Sequence, residues 1–491
     1  MNRILYQVPL LITFAAAPFV VSSASAETLQ EALIAAYETN PDLAAARAGQ
    51  KATDEGVPLA KANGRPSADI QSTFTENVII SATAFSQKRN LSTNGSITVP
   101  LYQGGGVKNA VRAAETRVEA GRASLRGAES SLFSSVVGAY MDVIRDEAIV
   151  ELNRAQVGVL QVNLEATKDR FEIGDLTRTD VAQSEARLAE ALSQMEGARA
   201  NLIQSKEVYI QLVGRAPESL DAPPPLPNLP ETPVKAVDIA LENNPDILAS
   251  KEASKAARFD RKAAEAARLP TVGAFSQSSH VSALGSLSAS AQNFRDNATF
   301  DSSVGLRITV PVYQGGRPSA RIRQAQAQLG QSLEQEIAAE RNVIAQTRAA
   351  YASWKASLDV IASTERAVSA NELSLEGVRA ENSVGNRTIL DILNAEQELL
   401  NSKVNLVTAR RNAYVAGFTL LAAMGRAEAR DLGLEGGTLY DPAEYYERID
   451  NAWNDWSSNE DPAAQATRTV DTAPQTAEIE PLADLSAKPK N

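Results

Sequence analysis

Val99-Pro100-Leu101-Tyr102-Gln103-Gly104-Gly105 returns 211 residues later as Val310-Pro311-Val312-Tyr313-Gln314-Gly315-Gly316. At the same interval Ala139-Tyr140 returns as Ala350-Tyr351 and Ile173-Gly174 as Val384-Gly385. Asp180-Val181 returns as Asp391-Ile392, and Gly214-Arg215 as Gly425-Arg426. Five anchors sharing one interval mark a duplication, so whatever this chain builds, it builds twice. Asn40-Pro41-Asp42 recurs as Asn244-Pro245-Asp246 after only 204 residues. The second copy therefore carries seven extra residues before its Val-Pro-x-Tyr-Gln-Gly-Gly. Length changes concentrate in loops, so the second hairpin loop, around Ser279 to Asn297, is expected to be the longer.

Within each unit the period of the apolar residues changes in a fixed order. Residues 28–62 read as an Ala-rich helix. Two alternating runs follow, with Ile70 and Phe74 set against Gln71, Thr73 and Thr75, then Ile97, Val99 and Leu101 against Ser96 and Thr98. The second copy has Leu306, Ile308 and Val310 against Arg307 and Thr309. Such alternation predicts strands with one apolar and one wet face. After each Gln-Gly-Gly the pattern turns helical: Val111, Val118, Leu125 and Leu132 fall seven apart, interleaved with Ala114, Gly121 and Ala128. This is a heptad stripe with small residues in one row. No proline interrupts Val107 to Phe171, a rod of roughly 100 Å at the rise of an α-helix, and Arg317 to Glu381 should make its twin.

These periods divide the chain. Residues 27–215 form the first repeat, with a β-hairpin at about 66–103, and 234–426 the second, with a hairpin at about 269–314. The Pro-rich stretch 216–233 is a stiff extended linker. Residues 427–456 form a C-terminal segment, in which Trp453 and Trp456 should anchor the chain to the body of the protein. From Ser457 to the end, composition predicts a disordered tail. Residues 1–26 read as a secretory signal: Arg3, an apolar run from Val8 to Val21, then Ala24-Ser25-Ala26. No later stretch has the length of apolar residues needed for a membrane-spanning helix.

The chain has no Cys, one His and a formal charge of −12. Thiol chemistry, disulfides and the usual zinc sites are thereby excluded or nearly so, and the acidic balance speaks against nucleic acid. His280 sits among Ser and Gly in an expected loop. No Gly-x-Ser-x-Gly or phosphate-binding loop accompanies it. No enzyme activity and no cofactor are expected. Four strands leave two unpaired edges, which hydrocarbon does not tolerate, so closing the sheet requires more than one chain.

Taken together, the signal, the paired Asn-Pro-Asp helices, the paired Val-Pro-x-Tyr-Gln-Gly-Gly exits and the Gly-containing helical hairpins resemble the TolC family of outer-membrane efflux proteins. The resemblance covers about residues 27–450. It implies a homotrimer in the cell outer membrane, in contact with its lipid. A twelve-stranded β-barrel, four strands per chain, would continue into a periplasmic α-barrel of long antiparallel coiled-coil helices. It further implies partners, namely a periplasmic adaptor and an inner-membrane ABC or proton-driven transporter, and an efflux or type I secretion duct opened at its periplasmic tip. The absent lipidation Cys and the tip sequence lean toward the secretion branch. Asp391 stands where the family narrows its tip with a ring of aspartates, and Asn394 occupies the second ring position. Asp180 and Arg387 match the ion pair that locks the family's two hairpins. Pro100, Gly104, Gly105, Pro311, Gly315 and Gly316 mark the strand-to-helix exits. Phe74, Phe85, Tyr102, Phe275 and Tyr313 could form an interfacial aromatic girdle, with packing at the barrel-to-helix junction an equally good account of Tyr102 and Tyr313. A coiled-coil structural or adhesive envelope protein without transport is the alternative, and the duplicated strand pairs argue against it.

Overall fold

Asn40 and Pro41 break the first expected helix. Proline donates no backbone hydrogen bond and pushes the residue before it out of helical geometry. Asn40 adopts φ −70° and ψ 126° and caps the next helix through Asp42 N. In the computed structural model, which describes residues 27–78, 88–287, 298–434 and 439–478, three helices replace the single one expected. They are α1 (Leu29–Thr39), α2 (Pro41–Asp54) and α3 (Gly56–Ala62). The signal expected at 1–26 lies outside the described residues, as does Phe85.

Strands β1 (Ser67–Glu76) and β2 (Arg89–Gln103) lead to the rod α4 (Gly106–Glu172) and its return α5 (Arg178–Val213). The second repeat follows with α6 (Pro233–Asn243), α7 (Pro245–Glu265), β3 (Thr271–Ser282), β4 (Ala298–Thr309), α8 (Arg317–Ser383) and α9 (Ile389–Ala423). A short helix α10 (Pro442–Ile449) comes last. Both rods have 67 residues, as proline-free heptads predict. The seven extra residues fall in the second β-hairpin. Ser67 and Thr271, where the hairpins begin, are still 204 apart, and the β3–β4 connection has 15 residues against 12 for β1–β2.

The strands form one antiparallel sheet in the order β1-β2-β3-β4, so β1 and β4 are open edges in a single chain. His280, expected in a loop, lies in β3 opposite Phe300. The Ser-rich stretch around it pairs on both sides, because hydroxyls suit a wet or half-exposed sheet face.

The main core lies where the short helices pack on the middle of the rods. Phe133, Tyr140, Tyr209, Phe418, Leu421 and Met424 are buried there with α1. Each duplicated motif has a job in this belt. Asn40 Nδ2 donates to Leu212 O (3.1 Å) and Asn244 Nδ2 to Ala423 O (2.9 Å). The two capping asparagines thus tie each short helix to the end of its own returning helix. Tyr140 and Tyr351 donate their hydroxyls to Asp221 O and Glu231 O, pinning both ends of the Pro-rich linker. Gly121 of the small-residue row faces Gln50 of α2, and a Cβ there would come within 2.3 Å of Gln50 Oε1. The small residue is what lets α2 approach α4.

Two C-terminal expectations need correction. Arg65 stacks on Trp453 (4.6 Å) and Tyr445 donates to Glu55 (2.6 Å), so this segment is anchored. Trp456, however, is 95 % exposed and anchors nothing among the described residues. The tail expected to be disordered is instead laid over the belt as far as residue 478. Asn459 donates to Tyr445 (3.1 Å), Gln475 N donates to Glu207 (3.3 Å), and Ala477 packs on the main core. A few backbone and small-residue contacts suffice where a preformed surface supplies the apolar partner.

Candidate functional site

The sheet sorts its side chains by type. One face carries Ala68, Ile70 and Phe74 of β1, Leu91, Ile97 and Val99 of β2, Val272 and Ala274 of β3, and Phe300, Val304, Leu306 and Ile308 of β4. Ile70, Phe74, Val304, Leu306 and Ile308 are exposed in the single chain. The other face carries Asp69, Gln71, Asn94, Ser96, Gln277, Asp301 and Arg307. An exposed apolar face on a sheet this large has hydrocarbon or another protein as its counterpart, and an opposing polar face fits a wet interior. Phe275 is a correction to the expected girdle: it lies on the polar face, beneath Arg307 (4.8 Å). Phe74 keeps its place on the apolar face.

Where strand becomes rod, both glycine pairs take the left-handed conformation. Gly104 and Gly105 have φ 61° and 78°, and Gly315 and Gly316 have φ 60° and 81°. Gly105 and Gly316 are the N-caps of α4 and α8. Only glycine enters that region without strain, which explains the repeated Gly-Gly. Pro100 sits at a register shift in β2, where the ladder needs no donor from it. Pro311 lies beyond the end of β4. That edge has no further partner, so its last residues are not paired as Tyr102 and Gln103 are by β3.

At the far end the rods turn in matched ways. Gly174 (φ 84°) and Gly385 (φ 83°) end α4 and α8 in the left-handed conformation. Thr177 and Thr388 then cap α5 and α9. Asp180 Oδ2 accepts from Thr177 N (2.9 Å) and Oγ1 (2.7 Å), and Asp391 Oδ2 accepts from Thr388 N (2.9 Å) and Oγ1 (2.8 Å). These bonds from the threonine hold both carboxyls below the usual Asp range. Within one chain, Arg387 donates to Glu381 (2.7 Å), which raises its pKa, and Asp180 is taken by its cap. The structure does not bring Arg387 and Asp180 together inside a chain.

A different set of residues joins the two hairpins. Arg187 of α5 donates to Asn394 Oδ1 of α9 (2.9 Å). Glu396 of α9, 3 % exposed, accepts from Asn163 of α4 (3.0 Å to each oxygen) and from Arg379 of α8 (3.0 Å). Between them Leu393 is buried with Val157, Leu160 and Ala191. Higher up, Arg411 of α9 donates to Asp142 of α4 (3.0 Å). The sequence held a signal for Glu396: it falls on the stripe Ile389, Leu393, Leu400, where a charge requires a partner. Among the described residues no cluster of potential metal ligands occurs, and no helix is long and apolar enough to cross a membrane.

A model of the outer membrane efflux protein family matches residues 32–215 and 236–426, that is, both repeats without the linker. The chain is 35% identical over 432 residues to the outer membrane efflux protein BepC of Brucella suis biovar 1, covering 88% of this chain and 92% of that one. It is 28% identical over 311 residues to the outer membrane protein TolC of Escherichia coli K12, covering 62% and 63%. Its fold superposes on the Campylobacter jejuni CmeC outer membrane channel with a TM-score of 0.70 at 15% identity, over 86% of this chain and 89% of that one. A match of this extent, carried by the same two repeats that join strands to rods, means that the chain belongs to the outer membrane efflux protein family and stands in the outer membrane as a channel protein, its helical part in the periplasm.

Proposed function

We propose that three copies form the passive exit duct of a tripartite efflux pump or type I secretion system, opened at its periplasmic tip by an adaptor and an inner-membrane transporter. The observation that carries this reading is the junction between the hairpins. Below the belt, α9 meets the first hairpin through one small apolar cluster around Leu393 and a few polar bonds from Asn163 and Arg187. Such a junction holds the rods together yet can part without unpacking the main core.

Assembly follows from the edges. β1 and β4 run antiparallel, so β4 of one copy pairs with β1 of the next, and three copies supply twelve strands without an open edge. Each unpaired backbone group left in hydrocarbon would cost several kcal/mol. The apolar residues that α8 exposes alone, Ile337, Leu358, Val360 and Leu373, support a neighbouring copy at the rods as well. In the assembled tip Asp391 and Asn394 face the axis, and Arg387 exchanges Glu381 for Asp180 of the adjacent hairpin.

The test is conductance of the full-length protein in planar bilayers, combined with its mass in detergent. A trimer is expected, with a cation-preferring pore whose block by multivalent cations weakens in Asp391→Ala. A stable, β-rich monomer, or block unchanged by Asp391→Ala, would overturn the reading of the assembly or of the constriction respectively.

A further inference from the structure

We propose that Arg307 and Phe275 form, once per chain, a subsite on the lumenal wall of the barrel that takes an aromatic anion, a flat apolar group bearing a carboxylate or sulfonate. The proposal rests on the trimeric duct only for which face is lumenal. The local geometry stands on its own.

Phe275 is an anomaly on its face. Its neighbours there in the strand register are Thr98, Ser96, Gln277 and Ser303, and it belongs to no apolar cluster. It is held instead by what lies opposite: Gly305 pairs with it in the register of β3 and β4, and a Cβ on Gly305 would come within 3.0 Å of its Cε1 and Cζ. Only a glycine lets the ring lie down on the sheet. Arg307 then lies 4.8 Å from the ring centroid, close enough for a cation–π contact, which pre-orients the guanidinium.

That guanidinium has no carboxylate partner among the described residues. The acids on the same face are engaged or remote. Asp69 accepts from Ser96 on the neighbouring strand (2.7 Å), a bond that keeps it engaged also where the next copy's β1 comes beside β4, and Asp301 lies six residues back along β4. Beside the pair the wall is concave: a recess of about 350 Å³ is lined by Thr98, Pro100, Gly273, Phe275, Arg307 and Thr309. Tyr102, Gln103 and Thr271 add neutral polar groups to the lining, and among the described lining residues Arg307 alone is charged. An unpaired planar fork of donors next to an aromatic edge fits a carboxylate or sulfonate carried on a ring, the anion on the guanidinium edge and the ring in the recess against the edge of Phe275.

The first repeat has no such site. The position 211 residues before Arg307 is Ser96, and its bond goes to Asp69. One subsite per chain gives three around the lumen, above a tip whose described ring residue, Asp391, is acidic. Cations would be selected at the mouth and aromatic anions retained at the barrel.

Naphthalene-2-sulfonate and methanesulfonate serve as probes on the full-length protein, read by block of single channels and, without conductance, by saturation-transfer NMR in detergent. Naphthalene-2-sulfonate should bind wild type, and methanesulfonate much less. Arg307→Gln should weaken binding about tenfold, Phe275→Leu less, and Asp391→Ala not at all. Arg307→Lys, which keeps the charge and loses the fork, should fall between and shows whether a folded trimer survives change at this position. Equal binding by wild type and Arg307→Gln, or saturation transfer absent from wild type, would overturn the subsite. Absence of conducting channels despite NMR binding would instead count against the duct.

Discussion

The carboxylate of Glu396 lies 3.0 Å from the side-chain amide of Asn163, and the two belong to different helical hairpins. Arg379 completes the contact from Glu396's own hairpin. Because Glu396 is buried and bonded on both oxygens, removing it takes the partner of the half-buried Asn163 amide across the seam, at about 1 kcal/mol for a lost hydrogen bond that water partly replaces. Glu396→Ala should therefore loosen the tip and raise single-channel conductance, while trimer yield stays level because the barrel is untouched. Unchanged conductance would mean that the hairpins do not part along this seam.

Arg387 has two suitors in the proposed assembly, Glu381 of its own rod and Asp180 of the adjacent hairpin. An exposed ion pair is worth about 0–1 kcal/mol, which biases opening by up to roughly fivefold per subunit. Arg387→Ser and Asp180→Ser should each raise conductance, and the double variant should add little to either. Glu381→Gln should lower conductance by freeing Arg387 for Asp180. Fully additive effects in this cycle would show that Arg387 and Asp180 do not interact.

Thr177 and Thr388 hold Asp180 and Asp391 ionised by donating to them, and replacing either threonine with Ala should cost about 1 kcal/mol of local helix stability. The folded pKa of both acids lies below the unfolded value, so their contribution is present above the ordinary Asp range. It is lost as pH falls through the depressed values. Burial acts oppositely on Asp54 and Glu129 in the belt, whose carboxyls are pushed up. Their ionisation costs stability as pH rises, and acid relieves it. Hydrogen exchange, corrected for intrinsic rates, should show the tips fraying below about pH 4 while the α2–α4 contact does not loosen. Uniform loosening would refute the assignment.

Gly104 and Gly315 share a conformation but not surroundings. A Cβ on Gly104 would meet Leu269 Cβ at 2.8 Å, while nothing lies within 4 Å of one on Gly315. In the unassembled chain, Gly315→Ala should cost the left-handed penalty alone, about 1–2 kcal/mol, and Gly104→Ala visibly more. Thermal stability of the two variants would decide, and equal losses would show that the exit after β2 relaxes freely.

The sequence by itself determined everything that follows from local periodicity. Alternating residues set the strands, proline-free heptads set the rods to within two residues, and Gly-Gly marked the turns that only glycine can make. The repeat determined that the second unit copies the first. These are properties of short stretches of backbone, so they survive without knowledge of neighbours. Tertiary structure decided what depends on which side chains meet. Phe275 could be placed in a girdle by its type alone, yet Gly305 thirty residues away lays it on the polar face. Trp456 looked like an anchor and finds nothing to grip, while a tail poor in apolar residues finds a surface already built. Arg387 and Asp180 were legible as charges at two turns, but Glu381 and Thr177 hold them within a chain. Glu396 joins three helices from positions far apart in sequence. A single stretch of sequence carries its own hydrophobic period, but the partner of a buried charge is set only when distant segments pack against one another.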